Sequence, residues 1–144
     1  MTLSVARAMQ NMKAEFVVMG EPTGKARPRV TMHGTYIPEK TKDYERKVQD
    51  EYRKQCNKWF GENPIAVKIK AYYCIPKSAT KDARKKMHTG EMKPAKKPDA
   101  DNLAKAILDA LNGIAYKDDA QVVVLGVEKI YSDVPRVEVK ITDG

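Results

Sequence analysis

The sequence has few of the residues that form disulfides or bind soft metals. Its 144 residues include two cysteines and two histidines. Cys56 and Cys74 form no CxxC motif, and His33 and His88 lack metal-ligand spacing, so neither a disulfide framework nor a zinc site is predicted. We expect both cysteines to be reduced, in the core or just beneath the surface of a cytoplasmic protein.

Long apolar runs are also missing. No stretch approaches the roughly 20 apolar residues of a transmembrane helix, so no membrane association is predicted. Residues 1–13 lack the apolar segment of a signal peptide. We predict that they form a loosely ordered extension before a single domain over residues 14–144, which is long enough to bury a substantial core.

A complete phosphate-binding loop is absent as well. The segment GEPTGK (20–25) is one residue shorter than the P-loop pattern, and Ala26 follows it in place of Ser or Thr. No NTPase is therefore predicted.

Basic residues dominate most of the chain. Residues 1–98 carry 22 Lys and Arg against 10 Asp and Glu, a net charge of +12, whereas residues 99–144 carry 5 against 9, a net charge of −4. A basic body favours a polyanionic partner such as nucleic acid, and a compact acidic segment favours a local cation site. A pI near 9.4 is also compatible with a solvated surface that binds no nucleic acid.

Apolar periodicity predicts four longer strands, some in hairpins and some beside helices, and three helices. The strands are predicted over 14–20, 65–75, 121–131 and 136–142, and the last two are expected to form an antiparallel hairpin. Helices are predicted from an N-cap at Thr41 to about Phe60, from an N-cap at Thr80 to about Met87, and from Asp101 to a stop at Asn112-Gly113. These elements favour the α+β class, with a mixed, mostly antiparallel sheet and helices packed on one side.

The acidic segment opens with KPDADN (97–102), in which Asp99 and Asp101 flank one alanine. In an extended segment, both side chains would point to the same side. Lys105 follows Asp101 by four residues, and Asp109 follows Lys105 by four. This spacing places the three side chains on one helical face.

A second acidic pair, Asp118 and Asp119, comes after Gly113 and just before a predicted strand that could return beside the helix. Carboxylates held close together repel one another, and a divalent cation removes that conflict. Hard oxygen ligands without His or Cys suit Mg²⁺ or Mn²⁺. The two acidic pairs therefore predict a metal site, with Lys105 positioned to stabilise charge in a transition state.

Each part of this set also has a structural interpretation. Asp101 alone is typical of a helix N-cap. Lys105 and Asp109 alone are typical of an exposed ion pair, and two adjacent aspartates are typical of a turn. The metal site is favoured by the combination of DxDN, a lysine one turn later and DD before a β-branched strand.

The residues that form this combination resemble a known family. The segment KPDADNLAKAILDALNGIAYKDDAQVVVLGVEK (97–129) is similar to the signature of the RusA family of Holliday junction resolvases. The segments GKARPRV (24–30) and GTYIPEKTKDYE (34–45) are similar more weakly. The resemblance extends, through the spacing of strands and helices, over about residues 14–142.

The resemblance implies a RusA-like fold and a small homodimeric, Mg²⁺-dependent endodeoxyribonuclease, often prophage-encoded. Such enzymes resolve four-way DNA junctions by paired nicks. It also implies that Asp99, Asp101 and Asp119 bind the metal, with Asp118 as a further candidate ligand, and that Lys105 is the essential lysine. For the remaining acid of the helix, Asp109, we expect a role in orienting this lysine.

A two-fold dimer would place one active site on each of two opposed strands of a nearly two-fold symmetric junction. Basic side chains would then contact phosphates, which predicts salt-sensitive binding that depends mostly on DNA shape. The best candidates for these contacts are Lys25, Arg27, Arg29, Lys96 and Lys97.

Two other functions remain open on the sequence alone. The chain could be a non-catalytic DNA-binding module in which the acids only cap a helix and form a turn. It could also be a phage protein of the same fold that cuts other branched DNA. Substitution of Asp99 and Asp101 by asparagine distinguishes the nuclease from the non-catalytic module, because only a nuclease has activity to lose.

Overall fold

The computed structural model describes residues 12–144, except for the side chain of Arg29. The predicted extension over residues 1–13 lies outside this range apart from Met12 and Lys13, and Lys13 already belongs to the first strand. No helix in the described part is long and apolar enough to cross a membrane. The elements are β1 (Lys13–Met19), β2 (Arg29–Thr31), β3 (Gly34–Tyr36), α1 (Glu39–Gln55), β4 (Ile65–Cys74), α2 (Lys81–Thr89), α3 (Ala100–Leu111), a 3-10 turn (Asp119–Gln121), β5 (Val122–Ser132) and β6 (Arg136–Asp143).

Four strands form one mixed sheet in the order β1-β6-β4-β5. Strand β6 is antiparallel to both β1 and β4, whereas β4 and β5 are parallel. Strands β2 and β3 form a separate two-stranded hairpin. The α+β class with a mixed, mostly antiparallel sheet is therefore confirmed.

The hairpin predicted between the last two strands is wrong. Strands β5 and β6 are joined by residues 133–135 but do not pair, because β4 lies between them. The connection spans two strand spacings, about 10 Å, which the four Cα–Cα steps from residue 132 to residue 136 can cover. None of the three connecting residues has the positive φ that tight hairpin turns require.

The core lies on one face of this sheet. The predicted alternation of β4 is confirmed, since its odd-numbered residues from Ile65 to Tyr73 are buried while Lys68 and Lys70 are exposed on the opposite face. Helices α1 and α3 pack on the apolar face, where Tyr52 and Leu103 are among the fully buried side chains. The sheet therefore has one face toward the helices and one charged face toward solvent.

Helix α1 differs from its predicted bounds at both ends. Pro38 occupies the N-cap position, so Thr41 lies inside the first turn, where it is buried, and is not the cap. The helix ends at Gln55, earlier than predicted, because Asn57 adopts a positive φ of 50° that turns the chain. Phe60, the predicted end of the helix, packs in the core beyond this turn.

The shorter helices follow their predicted signals. The hydroxyl of Thr80 accepts a hydrogen bond from the backbone amide of Ala83 at 3.1 Å, and this bond confirms Thr80 as the N-cap of α2. Helix α3 ends at Leu111, and Gly113 has a positive φ of 74° just beyond it. Glycine adopts this conformation without a steric penalty, so the predicted stop at Asn112-Gly113 is confirmed.

Candidate functional site

Helix α3 begins in the KPDADN segment. Asp99 occupies the N-cap position, although its side chain makes no capping bond, and Asp101 lies in the first turn. The N-cap interpretation of Asp101 is therefore wrong. The carboxylate of Asp101 instead accepts a hydrogen bond from the backbone amide of Asn102 at 3.0 Å. Both carboxylates are exposed, so they are accessible to a ligand from solvent.

A buried tyrosine fixes the start of this helix. The hydroxyl of Tyr73 on β4 donates to the carbonyl of Pro98 at 2.8 Å, immediately before Asp99. Burial, together with the charges of Asp99 and Glu21, raises the pKa of Tyr73 to about 12. The hydroxyl therefore stays protonated at neutral pH and remains a donor. Glu21 is an acidic neighbour of this region that no motif in the sequence predicts.

Asp99 and Asp101 form a first acidic group at the start of α3. Asp109, Asp118 and Asp119 form a second acidic group near the C-terminal half of this helix. Asp118 caps the 3-10 turn by accepting the amide of Ala120 at 3.3 Å, which confirms the turn interpretation of this residue. Burial raises the pKa of Asp119, and the neighbouring Asp118 and Asp109 raise it further, whereas Lys105 lowers it. The structure thus places Lys105, Asp109 and the adjacent acid pair in one electrostatic environment.

Lys105 and Asp109 form the ion pair expected from their spacing. The Lys105 Nζ atom lies 3.8 Å from Asp109 Oδ2, one helical turn along α3. The lysine side chain is 62% exposed, so its ammonium has donors available to a phosphate in solvent. An orienting role for Asp109 is compatible with this contact and stays a prediction.

Asp109 also has a second cationic partner. The Lys25 Nζ atom lies 3.3 Å from Asp109 Oδ2 and also contacts Glu45 of α1. Burial opposes the charge of Lys25, but its bonds to the two carboxylates outweigh this effect and raise its pKa. The DNA contact expected of Lys25 stays a prediction. The structure shows this side chain, which is only 13% exposed, connecting a loop to two helices.

The other basic candidates differ in their surroundings. Arg27 and Lys97 are exposed, while the side chain of Arg29 lies outside the described part of the structure. The ammonium of Lys96 lies 5.8 and 5.7 Å from the ring centroids of Tyr73 and Tyr131, which holds it by cation–π attraction beside the start of α3. Contacts of all four residues with DNA stay predictions.

The carboxylates have the chemistry that a hard divalent cation requires, but they do not form a complete site. Within residues 12–144, no group of three His, Cys, Asp or Glu side chains is close enough to hold a metal ion. Asp101 and Asp109 lie eight residues apart on α3, which corresponds to about 12 Å along the helix axis. Asp99 and Asp101 thus lie at the start of α3, Lys105 contacts Asp109 farther along the helix, and the single metal cluster stays a prediction.

Two comparisons with known proteins bear on this geometry. The family model described as "Endodeoxyribonuclease RusA" matches residues 19–142, a range that includes both acidic groups and Lys105. A protein of Bacillus subtilis (strain 168) named "Uncharacterized protein YqaN" is 37% identical over 135 residues, which cover 90% of this chain and 95% of that protein. The family match begins at the last residue of β1 and covers β2 to β5, β6 up to residue 142, all three helices and both acidic groups. The chain therefore belongs to the RusA endodeoxyribonuclease family.

Proposed function

We propose that the protein is a Mg²⁺-dependent endonuclease that acts as a homodimer in the cytoplasm and resolves four-way DNA junctions by paired nicks in recombination or repair. Family membership supports DNA hydrolysis. The proposal depends most on one observation, the exposed ammonium of Lys105, which contacts Asp109 and lowers the pKa of Asp119. A cationic donor next to clustered carboxylates on an accessible surface suits the hydrolysis of a phosphodiester.

We propose Asp99, Asp101 and Asp119 as the metal ligands, with Asp118 as a further candidate and Mn²⁺ as a substitute ion. Burial and the charges of Asp118 and Asp109 raise the pKa of Asp119, and a cation at this carboxylate would relieve the repulsion from those two neighbours. When bound, such an ion would neutralise charge on the phosphate and activate a water. The assignment requires these carboxylates to come closer together than they lie in the single chain.

The remaining steps belong to side chains of the protein. Lys105 would donate to a phosphate oxygen as negative charge develops on it, and Asp109 would hold the lysine charged and oriented. The bond from Tyr73 to the Pro98 carbonyl would keep the preceding backbone of Asp99 in place. Exposed lysines around residues 96–97 would attract the DNA backbone toward the acids.

A cleavage assay on a four-way junction tests the proposal. Each strand is labelled in turn, and the junction is incubated with the protein in Mg²⁺, Mn²⁺ or EDTA. We expect paired nicks in two opposed strands with either metal and none in EDTA. Nicking in EDTA would contradict the metal requirement, and cleavage of linear duplex at the same rate would contradict junction selectivity.

The ligand assignment is tested by Asp99→Asn and Asp101→Asn in the same assay. These variants should bind the junction as well as the parent protein or better, because each removes a negative charge near the phosphates, but should not nick it. Asp133→Asn, a change at an exposed acid in the β5–β6 connection, is the matched control and should nick normally. Undiminished nicking by the first two variants would show that these carboxylates are not ligands.

One observation favours an alternative function. Since no three-ligand group is formed within residues 12–144, the protein could bind branched DNA without cutting it. This alternative predicts junction binding without cleavage in either metal. Flap and fork substrates in the same assay also reveal a nuclease with a different selectivity, as a phage protein of this fold would have.

A further inference from the structure

The two edge strands of the main sheet differ in how their outward backbone groups are paired. On β1, the side chain of Gln55 accepts the amide of Val17 at 2.9 Å and donates to its carbonyl at 2.8 Å. Lys47 and Lys58 donate to two further carbonyls of the same strand. This edge is therefore occupied by side chains from α1 and the segment after it.

The opposite edge is β5, and its N-terminal half has no such cover. Within the described residues, the backbone of residues 123–127 pairs only with β4, while the amide of Val122 donates to the carbonyl of Asp119. Val123, Val124 and Leu125 are 59%, 53% and 46% exposed. Farther along, α2 contacts β5, and Lys93 pairs with Glu128, so the exposed part of this edge is confined to the beginning of the strand.

An exposed apolar edge of this kind is a template for pairing with another strand. Natural edges are commonly blunted by lysine, proline or a β-bulge. Residues 121–127 (QVVVLGV) contain no lysine or proline, and the register of β5 against β4 shifts once, at Val123. The segment is also uncharged, whereas the chain carries a net charge of +8. Two copies can therefore approach through this edge without bringing like charges together, which most of the basic surface does not allow.

We propose that residues 122–126 pair antiparallel with the same residues of a second copy, across a two-fold axis at Val124. This inference rests on the proposed homodimer and assigns its interface. With this register, Val124 lies opposite its counterpart and Val123 lies opposite Leu125, and no pair contains a charged residue. The same patch serves both copies, as a closed two-fold contact requires, and the two sheets join into one.

The pairing has a consequence for the candidate site. Strand β5 begins three residues after Asp119, and antiparallel pairing reverses the direction of the second strand. The acidic group of each copy therefore lies at an opposite end of the shared edge. The two-fold axis then relates two separate acidic groups, in keeping with paired nicks on opposed strands.

Oligomeric state in solution, measured by analytical ultracentrifugation across a dilution series, tests the interface. The variants are Val124→Lys, Val124→Glu and the control Val134→Lys, which introduces the same charge at a valine of similar exposure, 48%, in the β5–β6 connection. The parent protein and the control should be dimers. Each Val124 variant should have a dimer dissociation constant raised at least about 100-fold, because like charges would face each other.

Mixing the two Val124 variants tests the register. The two-fold axis at Val124 places lysine opposite glutamate, so an equimolar mixture should form a heterodimer although each variant alone is monomeric. Circular dichroism checks that the variants are folded, and Val124→Arg replaces Val124→Lys if that variant does not fold.

Three outcomes would overturn the inference: a monomeric parent protein, a dimeric Val124→Lys variant, or folded monomers that do not recombine. None of these measurements depends on cleavage. Failure here would leave the nuclease proposal intact, and a protein without nuclease activity could still dimerise through β5.

Discussion

Lys25 and Asp109 lie 3.3 Å apart, with Glu45 on the other side of the same ammonium. This contact joins the loop before β2 to α1 and α3. Because Asp109 also holds Lys105, the contact connects the packing of the two core helices to the candidate site. Its three side chains are largely removed from water, so their attraction is screened less than that of an exposed ion pair.

Replacing Lys25 by methionine should destabilise the protein, because it leaves two partly buried carboxylates without their shared cation. We expect a loss of about 1–3 kcal/mol in the free energy of unfolding, between the values for exposed and fully buried pairs. Urea denaturation measures this loss, and Lys42→Met, at an exposed position of α1, is the control. Equal stability of the two variants would contradict a structural role for Lys25.

The same contact has a defined pH dependence. Burial opposes the charge of Lys25, but the two carboxylates raise its pKa above the ordinary lysine value on folding. Its contribution to stability is therefore complete at neutral pH and is lost only as the pH rises through this raised value. The stability difference between the parent protein and Lys25→Met should accordingly stay constant from pH 7 to pH 9.

Lys105→Ala should affect turnover and leave DNA binding intact. Loss of one positioned donor to a developing negative charge typically lowers the rate by about 10²–10³. Single-turnover nicking and junction affinity are measured in parallel. The control is Lys117→Ala, at an exposed lysine that pairs with Glu62 near the second acidic group. Loss of folding in Lys105→Ala would indicate that the lysine has only a structural role.

Tyr73→Phe should weaken the support of the metal-ligand segment. The lost bond to the Pro98 carbonyl should reduce the free energy of unfolding by about 0.5–1.5 kcal/mol. Nicking should fall while junction binding stays unchanged, because the next residue, Asp99, is less well held. Tyr72→Phe removes a hydroxyl that bonds to Glu138 at 3.3 Å on the opposite face. An equal loss of nicking in both variants would argue against a specific role for Tyr73.

Junction affinity should fall steeply between low and physiological salt, because basic side chains release counterions from phosphates. Each phosphate contact contributes about −0.9 to the slope of log K against log salt. Lys96→Met and Lys97→Met should each reduce the slope by roughly this amount, whereas Lys68→Met, on the solvent face of the sheet, should not. A flat salt response would exclude phosphate contacts as the main source of affinity.

Local signals predicted most of the secondary structure. The alternation of β4, the cap at Thr80 and the stop at Gly113 depend on neighbouring residues alone, and all three are confirmed. The error in α1 arose because Thr41 is a favourable cap type, while the preceding Pro38 takes that position in the structure. Proline near a helix start has a preset φ and needs no amide partner, so it competes with Thr41 for this role.

Strand pairing could not be predicted in the same way. The short connection before β6 suggested a hairpin, but β6 inserts between β1 and β4. The choice of neighbours depends on contacts between residues more than a hundred positions apart, as in the pairing of Phe16 with Val139. Such contacts leave no periodic signal in the sequence. The absence of a glycine or Asn-Gly turn before β6 was the available warning against a hairpin.

For the candidate site, the sequence by itself determined the residue types, their spacing along α3 and the family to which they belong. These features follow from chain order, since residues four apart on a helix share a face. The tertiary structure alone decided that Lys25 is held by Asp109 and Glu45, that no three acids within residues 12–144 lie close enough to hold a metal, and that β5 is an open edge. Each depends on segments distant in sequence becoming neighbours, and packing of the apolar core determines which segments meet.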